Sequence, residues 1–363
     1  MSQLDFQLDQ VLRTAIKHGA SDVHLRVGKP PTLRVNGDFM ELKTVTLTDE
    51  LMVQAMRQIS PDTAQIDVAD KEKYGADFAI AVDGVRFRVS LFREQGGLGL
   101  VLRRLPSKIL TPEQVGFPRR VLDLARRPRG LFLVTGPTGS GKTTSQASVV
   151  DYLLREAGGV HIITIEEPTE YRFAHRPGSI ITQREVPANV PSFKEGLRQA
   201  LRQDPDVIVV GEMRDLETTR TAISAAETGH VVFGTLHTVS AAKTIDRLVE
   251  QFPGEERSQV RSQVSTSLLG VLCQQLLPRA DGNGMVAAFE FMECTPAIGN
   301  LIRTEKTEQI ESVIKTSGKS LGMQLLDDHL IELARSGVID HDKALERANN
   351  PDKMRTLLRS IGG

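Results

Sequence analysis

The stretch "LFLVTGPTGSGKTT", residues 131–144, decides the fold. Leu131 to Val134 form a short apolar run that suits a buried strand. After Thr135, the eight residues Gly136-Pro137-Thr138-Gly139-Ser140-Gly141-Lys142-Thr143 match G-x-x-x-x-G-K-[ST], and Thr144 leads into a helical pattern. Glycines at these positions let backbone N–H groups curl around phosphate with no Cβ in the way. The helix that follows points its positive end at the same anion. Lys142 supplies a point charge, and the Thr143 hydroxyl suits Mg²⁺. Strand, loop and helix together predict a site for the phosphates of ATP or GTP.

Downstream, further short apolar runs appear at "HIITI" (161–165), "VIVV" (207–210) and "VVF" (231–233), separated by helical patterns. This alternation predicts an α/β domain whose parallel sheet is buried on both faces. In such a sheet the C-terminal strand ends line the ligand crevice. Two of those ends carry carboxylates: Glu166, followed by Glu167 and Glu170, and Glu212 after Gly211. Glu212 is expected to position the attacking water and hold the water shell of the metal, with Glu166 polarising the same nucleophile. The metal set is then Thr143 and Glu212. His230 and His237 bracket the strand at 231–233, and their spacing does not suit zinc. His237 follows the C-terminal end and reads as a sensor of phosphate or of the catalytic carboxylates. His230 precedes the strand, where topology alone favours a packed or interface role. From about residue 270 the chain reads as mostly helical, with one strand pair in "QLLPRADGNGMVAAFEFME" (275–293).

Upstream, Leu4, Leu8, Val11, Leu12, Ala15 and Ile16 repeat at helical spacing, with Gly19 at the helix end. Val23, Leu25 and Val27 then alternate as a half-buried strand. Asn36-Gly37 predicts one hairpin turn and Asp83-Gly84 a second, between Phe78, Ile80, Val82 and Val85, Phe87, Val89, Leu91. "GLGLVLRRL" (97–105) is expected to close this sheet as an edge strand. Residues 1–105 thus read as a small α+β domain. "PSKILTPEQVGFP" (106–118), with three prolines, reads as a linker, and 119–363 as the second domain.

Composition narrows the function. Lys and Arg number 45 against 46 Asp and Glu, with no Trp and three Tyr, which disfavours a nucleic-acid partner. Cys273 and Cys294 are too few for a disulfide framework or a four-thiolate zinc site. No apolar run approaches the roughly 20 residues of a membrane helix. A soluble protein with no direct membrane insertion is expected.

With these motifs in view, the chain resembles the secretion ATPases of the type II and type IV pilus superfamily, and within it the pilus retraction ATPases. "GASDVHLRVGKPPTLRVNG" (19–37) resembles the signature of the family's PAS-like domain, and "GPTGSGKTT" (136–144) its Walker A loop. "ITIEEPTEY" (163–171) is similar to the Asp box, "LRQDPDVIVVGEMRDLET" (201–218) to the Walker B region, and "AETGHVVFGTLHT" (226–238) to the His box. "TPAIGNLIRTEK" (295–306) resembles the C-terminal Ala-Ile-Arg-Asn-Leu-Ile-Arg-Glu motif linked in that family to retraction. Here Gly299 replaces the motif's first Arg, Thr304 its Glu, and Glu167 stands where the Asp box has Asp.

The resemblance implies a PAS-like N-terminal domain followed by a RecA-like P-loop NTPase domain with a helical C-terminal segment. It implies an ATP-hydrolysing homohexamer that uses Mg²⁺ and draws pilin out of the fibre through an inner-membrane platform protein. Such a motor would be cytoplasmic, peripheral at the inner membrane, and able to work with a paralogous motor. His230, as a member of the His box, joins His237 among the functional candidates. Arg88, Arg93, Arg103 and Arg104, on or beside the last strands of the first domain, are the candidate arginine fingers. The alternatives are a pilus-extension or type II secretion ATPase, a nucleic-acid motor on the same fold, and a non-hydrolysing regulatory paralogue. The missing four-cysteine zinc insertion disfavours the first, and the intact Walker residues disfavour the last.

Overall fold

The computed structural model describes residues 7–35, 37–59 and 75–359. They divide into two compact units. One reaches to Lys108 and takes in Pro168–Arg172; the other comprises Ile109–Glu167 and the chain from Phe173 onward.

The first unit starts with α1 (Leu8–Lys17), whose Leu8, Val11, Leu12 and Ala15 are buried at helical spacing; Leu4, expected in this helix, lies outside the described residues. Strands β1 (Asp22–Arg26), β2 (Thr32–Val35) and β3 (Asp38–Glu41) follow, then α2 (Asp49–Ile59), β4 (Gly75–Val82), β5 (Val85–Glu94) and β6 (Gly97–Arg104). The hairpin expected at Asn36-Gly37 is flanked by β2 and β3, with Val35 opposite Asp38, although Asn36 itself is outside the described residues. At the second hairpin Asp83 (φ 50°) and Gly84 (φ 76°) both take left-handed backbone, as a two-residue turn demands.

The strands form an antiparallel sheet in the order β3-β2-β1-β6-β5-β4. The edge position expected for residues 97–105 is therefore wrong: β6 pairs with both β1 and β5. A local meander places its last strand at the edge. Here Leu98, Leu100 and Leu102 need cover, and pairing with β1 some eighty residues earlier buries them against Val23 and Leu25.

In the second unit α3 (Pro112–Val115) is closed by a capping box between Thr111 and Gln114, and α4 (Arg120–Ala125) follows. Phe117 is buried in the main core of this unit, so most of the expected linker 106–118 belongs to it. Next come β7 (Gly130–Thr135), α5 (Lys142–Glu156), β8 (His161–Glu166), β9 (Ile180–Glu185), α6 (Phe193–Ala200), β10 (Val207–Val210), α7 (Leu216–Glu227), β11 (Val231–Leu236), α8 (Ala241–Glu250) and α9 (Arg257–Ser267). The hairpin β12 (Leu268–Pro278) and β13 (Met285–Glu293) precedes helices α10 (Pro296–Arg303), α11 (Ile310–Ser317), α12 (Leu326–Arg335), α13 (His341–Arg347) and α14 (Pro351–Arg359).

The sheet order is β13-β12-β7-β11-β10-β8-β9, parallel except for β13. All residues of β7, β10 and β11 are buried, matching the continuous apolar runs. Strand β9 was not anticipated, because "IITQRE" is a half-exposed edge strand without a continuous apolar run. The pair expected at 275–293 begins earlier and extends the central sheet through β12, alongside β7. A smaller core, with Leu277, Ala288, Leu326, Leu330 and Met354, joins that hairpin to the last helices. Among the described residues no helix is long and apolar enough to cross a membrane.

Candidate nucleotide site

Five adjacent strand ends of the second unit build the site. In spatial order β8 ends at Glu166, β10 leads to Glu212, β11 to His237, β7 to the glycine loop, and β12 carries Gln274.

The loop leaves β7 at Gly136, whose φ of 144° is open to glycine. A Cβ there would meet the Gln274 carbonyl oxygen at 2.2 Å and Ser140 Oγ at 2.6 Å. Gly141, at φ 88°, caps α5 and brings the first amides of that helix to face the loop. Lys142 Nζ donates to the carbonyl oxygens of Gly136 at 2.8 Å and Pro137 at 3.1 Å, folding the ammonium across the mouth of the loop. Thr138 and Gly139 are exposed at the loop tip; Ser140 is buried.

Gly211 separates β10 from Glu212. Its N–H donates to Ile165 at 2.8 Å, and its carbonyl accepts from Thr235 Oγ1 at 2.5 Å. A side chain there would press on Ile165 O and the Glu166 Cα, at 3.1 and 3.3 Å. Glu212 is thereby aimed across the strand ends, where its Oε1 lies 2.8 Å from His237 Nε2 and 2.7 Å from Arg214 Nε. Burial pushes the Glu212 carboxyl up, but hydrogen bonds and charge from Arg214 and His237 prevail and hold it below the usual carboxylate range. Glu166 accepts from the buried Thr164 hydroxyl at 2.7 Å. His237 joins the loop through its neighbour: Gly136 N donates to Leu236 O at 3.3 Å.

The structure thus gathers Gly136 to Thr144, Glu166, Glu212 and His237 at one edge of the sheet. It does not bring His230 there. His230 precedes β11, seven residues from His237, which is more than about 20 Å along a strand. Its Nδ1 lies 3.2 Å from Ala225 O, where it closes the C-terminal end of α7. The two ends of β11 lie at opposite ends of the sheet, so His230 is not brought to the loop of its own chain. Glu170 clusters with the first unit, where its carbonyl accepts from Arg86 at 3.1 Å.

The four arginine candidates all lie in the first unit. Arg88 and Arg103 are directly opposite one another on β5 and β6, on the face away from that unit's core. Arg103 Nε donates to Asp22 at 2.8 Å. Arg93 and Arg104 fall at the other register, in line with Leu98 and Phe87.

Two participants escaped the sequence reading. Arg214, two residues after Glu212, grips that carboxylate. Gln274 is 2% exposed, and its Nε2 donates to Ser140 O at 2.6 Å, supporting the loop from behind. The signal for Gln274 was a Gln-Gln pair inside an otherwise apolar strand.

Among the described residues no three His, Cys, Asp or Glu side chains converge as a metal cage. Mg²⁺ needs none, since phosphates and waters supply most of its oxygens. Thr143, at the second position of α5, and the ionised Glu212 are the hard oxygen donors that fit it.

A parallel sheet with a glycine loop and lysine at the end of β7, and carboxylates on the neighbouring strand ends, defines a P-loop ATPase. The chain belongs to the type II/IV secretion system protein family, which it matches over residues 2–310. It is 48% identical over 347 residues, 95% of this chain and 99% of the relative, to the type IV pilus retraction ATPase PilT of Pseudomonas aeruginosa. It is 44% identical to a twitching motility protein of Neisseria gonorrhoeae, over 89% of this chain and 86% of the relative. A crystal structure of the pilus retraction motor PilT with bound ADP superposes with a TM-score of 0.88 at 42% identity, covering 97% of this chain and 99% of that one.

Proposed function

We propose that this chain is the ATP-hydrolysing motor of type IV pilus retraction. One observation carries the chemistry: Glu212, held ionised by Arg214 and His237, stands on the strand ends beside the Lys142 loop. The near full-length likeness to retraction ATPases supplies the mechanical output.

The loop amides and the N-terminus of α5 bind the phosphates. Lys142 leaves the Gly136 and Pro137 carbonyls for phosphate oxygens when nucleotide enters. Glu212 accepts a hydrogen bond from the attacking water, aligned in line with the departing ADP, and Glu166 assists from the next strand. His237 holds Glu212 in place and contacts the γ-phosphate, so that it reports whether ATP or ADP is bound. Thr143 and the water shell ordered by Glu212 would hold Mg²⁺, which neutralises the charge spread over the phosphoryl oxygens.

The domains are a PAS-like unit (1–105) and the ATPase (119–363), and of the segment between them (106–118) the part from Ile109 packs with the ATPase. Arg88, Arg93, Arg103 and Arg104 are the fingers that complete a neighbour's site in a homohexamer. His230, remote from the loop in its own chain, acts at a subunit boundary. The ring works in the cytoplasm against an inner-membrane platform protein, with or without a paralogous motor, and without nucleic acid.

Lys142→Ala tests the chemistry: ATP turnover should vanish and nucleotide affinity fall. Complementing a retraction-deficient strain tests the output, with twitching restored and surface pili reduced to normal. Loss of piliation in a deletion strain would instead assign extension.

A further inference from the structure

Glu290 on β13 is a carboxylate only 4% exposed, and it serves no step proposed above. Its Oε1 accepts from Ala241 N at 2.6 Å and its Oε2 from Leu326 N at 3.4 Å. Ala241 is the first residue of α8 and Leu326 the first of α12. One carboxylate thus closes the N-termini of two helices, meeting amide donors and the positive ends of both dipoles.

The first of those helices is joined to His237 by only three residues, Thr238, Val239 and Ser240. The turn between them is tied down from below. Thr244 Oγ1 lies 2.7 Å from Thr238 Oγ1 and donates to Ser240 O at 2.8 Å. Across the sheet Glu290 faces Cys273, which in turn faces Thr135, the last residue before the phosphate loop. Thr135 Oγ1 donates to Cys273 Sγ at 3.0 Å. A buried polar row therefore runs from the loop strand to the carboxylate, beneath the turn that carries His237. The other end of the contact is α12, which packs on β13 where Phe289 N donates to His329 Nδ1 at 3.0 Å.

We propose that Glu290 is a positioning residue that ties the His237 turn to the C-terminal helices, by holding the first N–H of α8 and the first N–H of α12 on one carboxylate. The proposal rests on the reading of His237 as the group that holds Glu212. A shift of α12 pulls on the same carboxylate that sets the start of α8, and so moves His237 relative to Glu212. Conversely, movement of His237 on loss of the γ-phosphate is passed to the C-terminal helices, which lie outside the nucleotide site. An apolar side chain of equal volume would fill the space and leave both helix ends without their acceptor.

Glu290→Gln replaces one acceptor oxygen by a donor, so it can serve only one helix. The test is a cycle on the assembled full-length chain: wild type, Glu290→Gln, His237→Ala and the double variant, each measured for ATP turnover and KM. Glu290→Gln is expected to lower kcat about 10-fold with KM within about twofold, and to change turnover by less than about twofold when His237 is already Ala. Thr244→Val, which loosens the same turn without touching the carboxylate, should behave alike, and carries the test if Glu290→Gln does not fold. Wild-type turnover in the folded Glu290→Gln or Thr244→Val chain, or the same fractional loss with and without His237, overturns the proposal. Wild-type turnover in His237→Ala overturns the reading of the site itself, and the tie with it.

Discussion

His237 Nε2 lies 2.8 Å from Glu212 Oε1, although 25 residues of chain separate them. The contact exists because β10 and β11 are parallel neighbours in register, Val210 beside Gly234, so their C-terminal ends emerge side by side. Arg214 grips the same oxygen from the other direction. Two donors on one carboxylate oxygen restrict its rotation, which suits the water-orienting role proposed for Glu212.

Glu212→Gln should preserve nucleotide binding and lower kcat by about 100-fold or more, since charge and acceptor are both needed at the water. ADP affinity by calorimetry and phosphate release measure the two halves. Hydrolysis at the wild-type rate would remove Glu212 from the mechanism.

Gln274→Leu should weaken the phosphate loop without touching any catalytic group. The Ser140 carbonyl would lose a 2.6 Å hydrogen bond in a buried setting, at a cost of about 1–3 kcal/mol. A lowered melting temperature, with weaker ADP affinity and kcat at saturation less affected than KM, is expected. Unchanged ADP affinity would mean that the loop holds its shape without Gln274.

Gly299→Arg would restore the residue found at this place in the retraction motif, yet it should destabilise this chain. A Cβ at Gly299 would stand 2.8 Å from the Ser265 carbonyl oxygen of α9. The backbone clash, of about 1–3 kcal/mol, outweighs the roughly 1 kcal/mol gained by removing a mid-helix glycine. Thermal unfolding decides the sign; a higher melting temperature would show that α10 moves off α9 readily.

Glu290 should leave a mark on the pH dependence of stability. Burial lifts its pKa from an ordinary 4.5 to about 7, against the pull of the Ala241 and Leu326 amides. Between those values the folded chain keeps a proton that the unfolded chain has lost, so stability falls as pH rises through the window. The contribution is at most roughly 3 kcal/mol. In Glu290→Gln it should be absent. The difference in melting temperature between wild type and variant, followed from pH 5 to 7.5, should shift steadily against the wild type as pH rises; a constant difference would place the carboxyl at its ordinary value.

The glycine loop, both carboxylates and His237 were legible because each sits next to an apolar run, and strand ends in a parallel sheet share one edge. Arg214 and Gln274 were not, since their roles depend on where a side chain points and on which strand lies alongside β7. The misplaced β6 has the same origin: its partner β1 is distant in sequence, and only burial of Leu98, Leu100 and Leu102 selects it.

The sequence by itself determined the phosphate chemistry, the parallel sheet and the family. Those follow from local spacing: glycines where a backbone must curl, continuous apolar runs where both sheet faces are covered. Only the tertiary structure decided which of two histidines reaches Glu212, what stands behind the loop, and that one buried glutamate holds two helices. These depend on strand order, which is set by long-range burial and has no signature within any single segment.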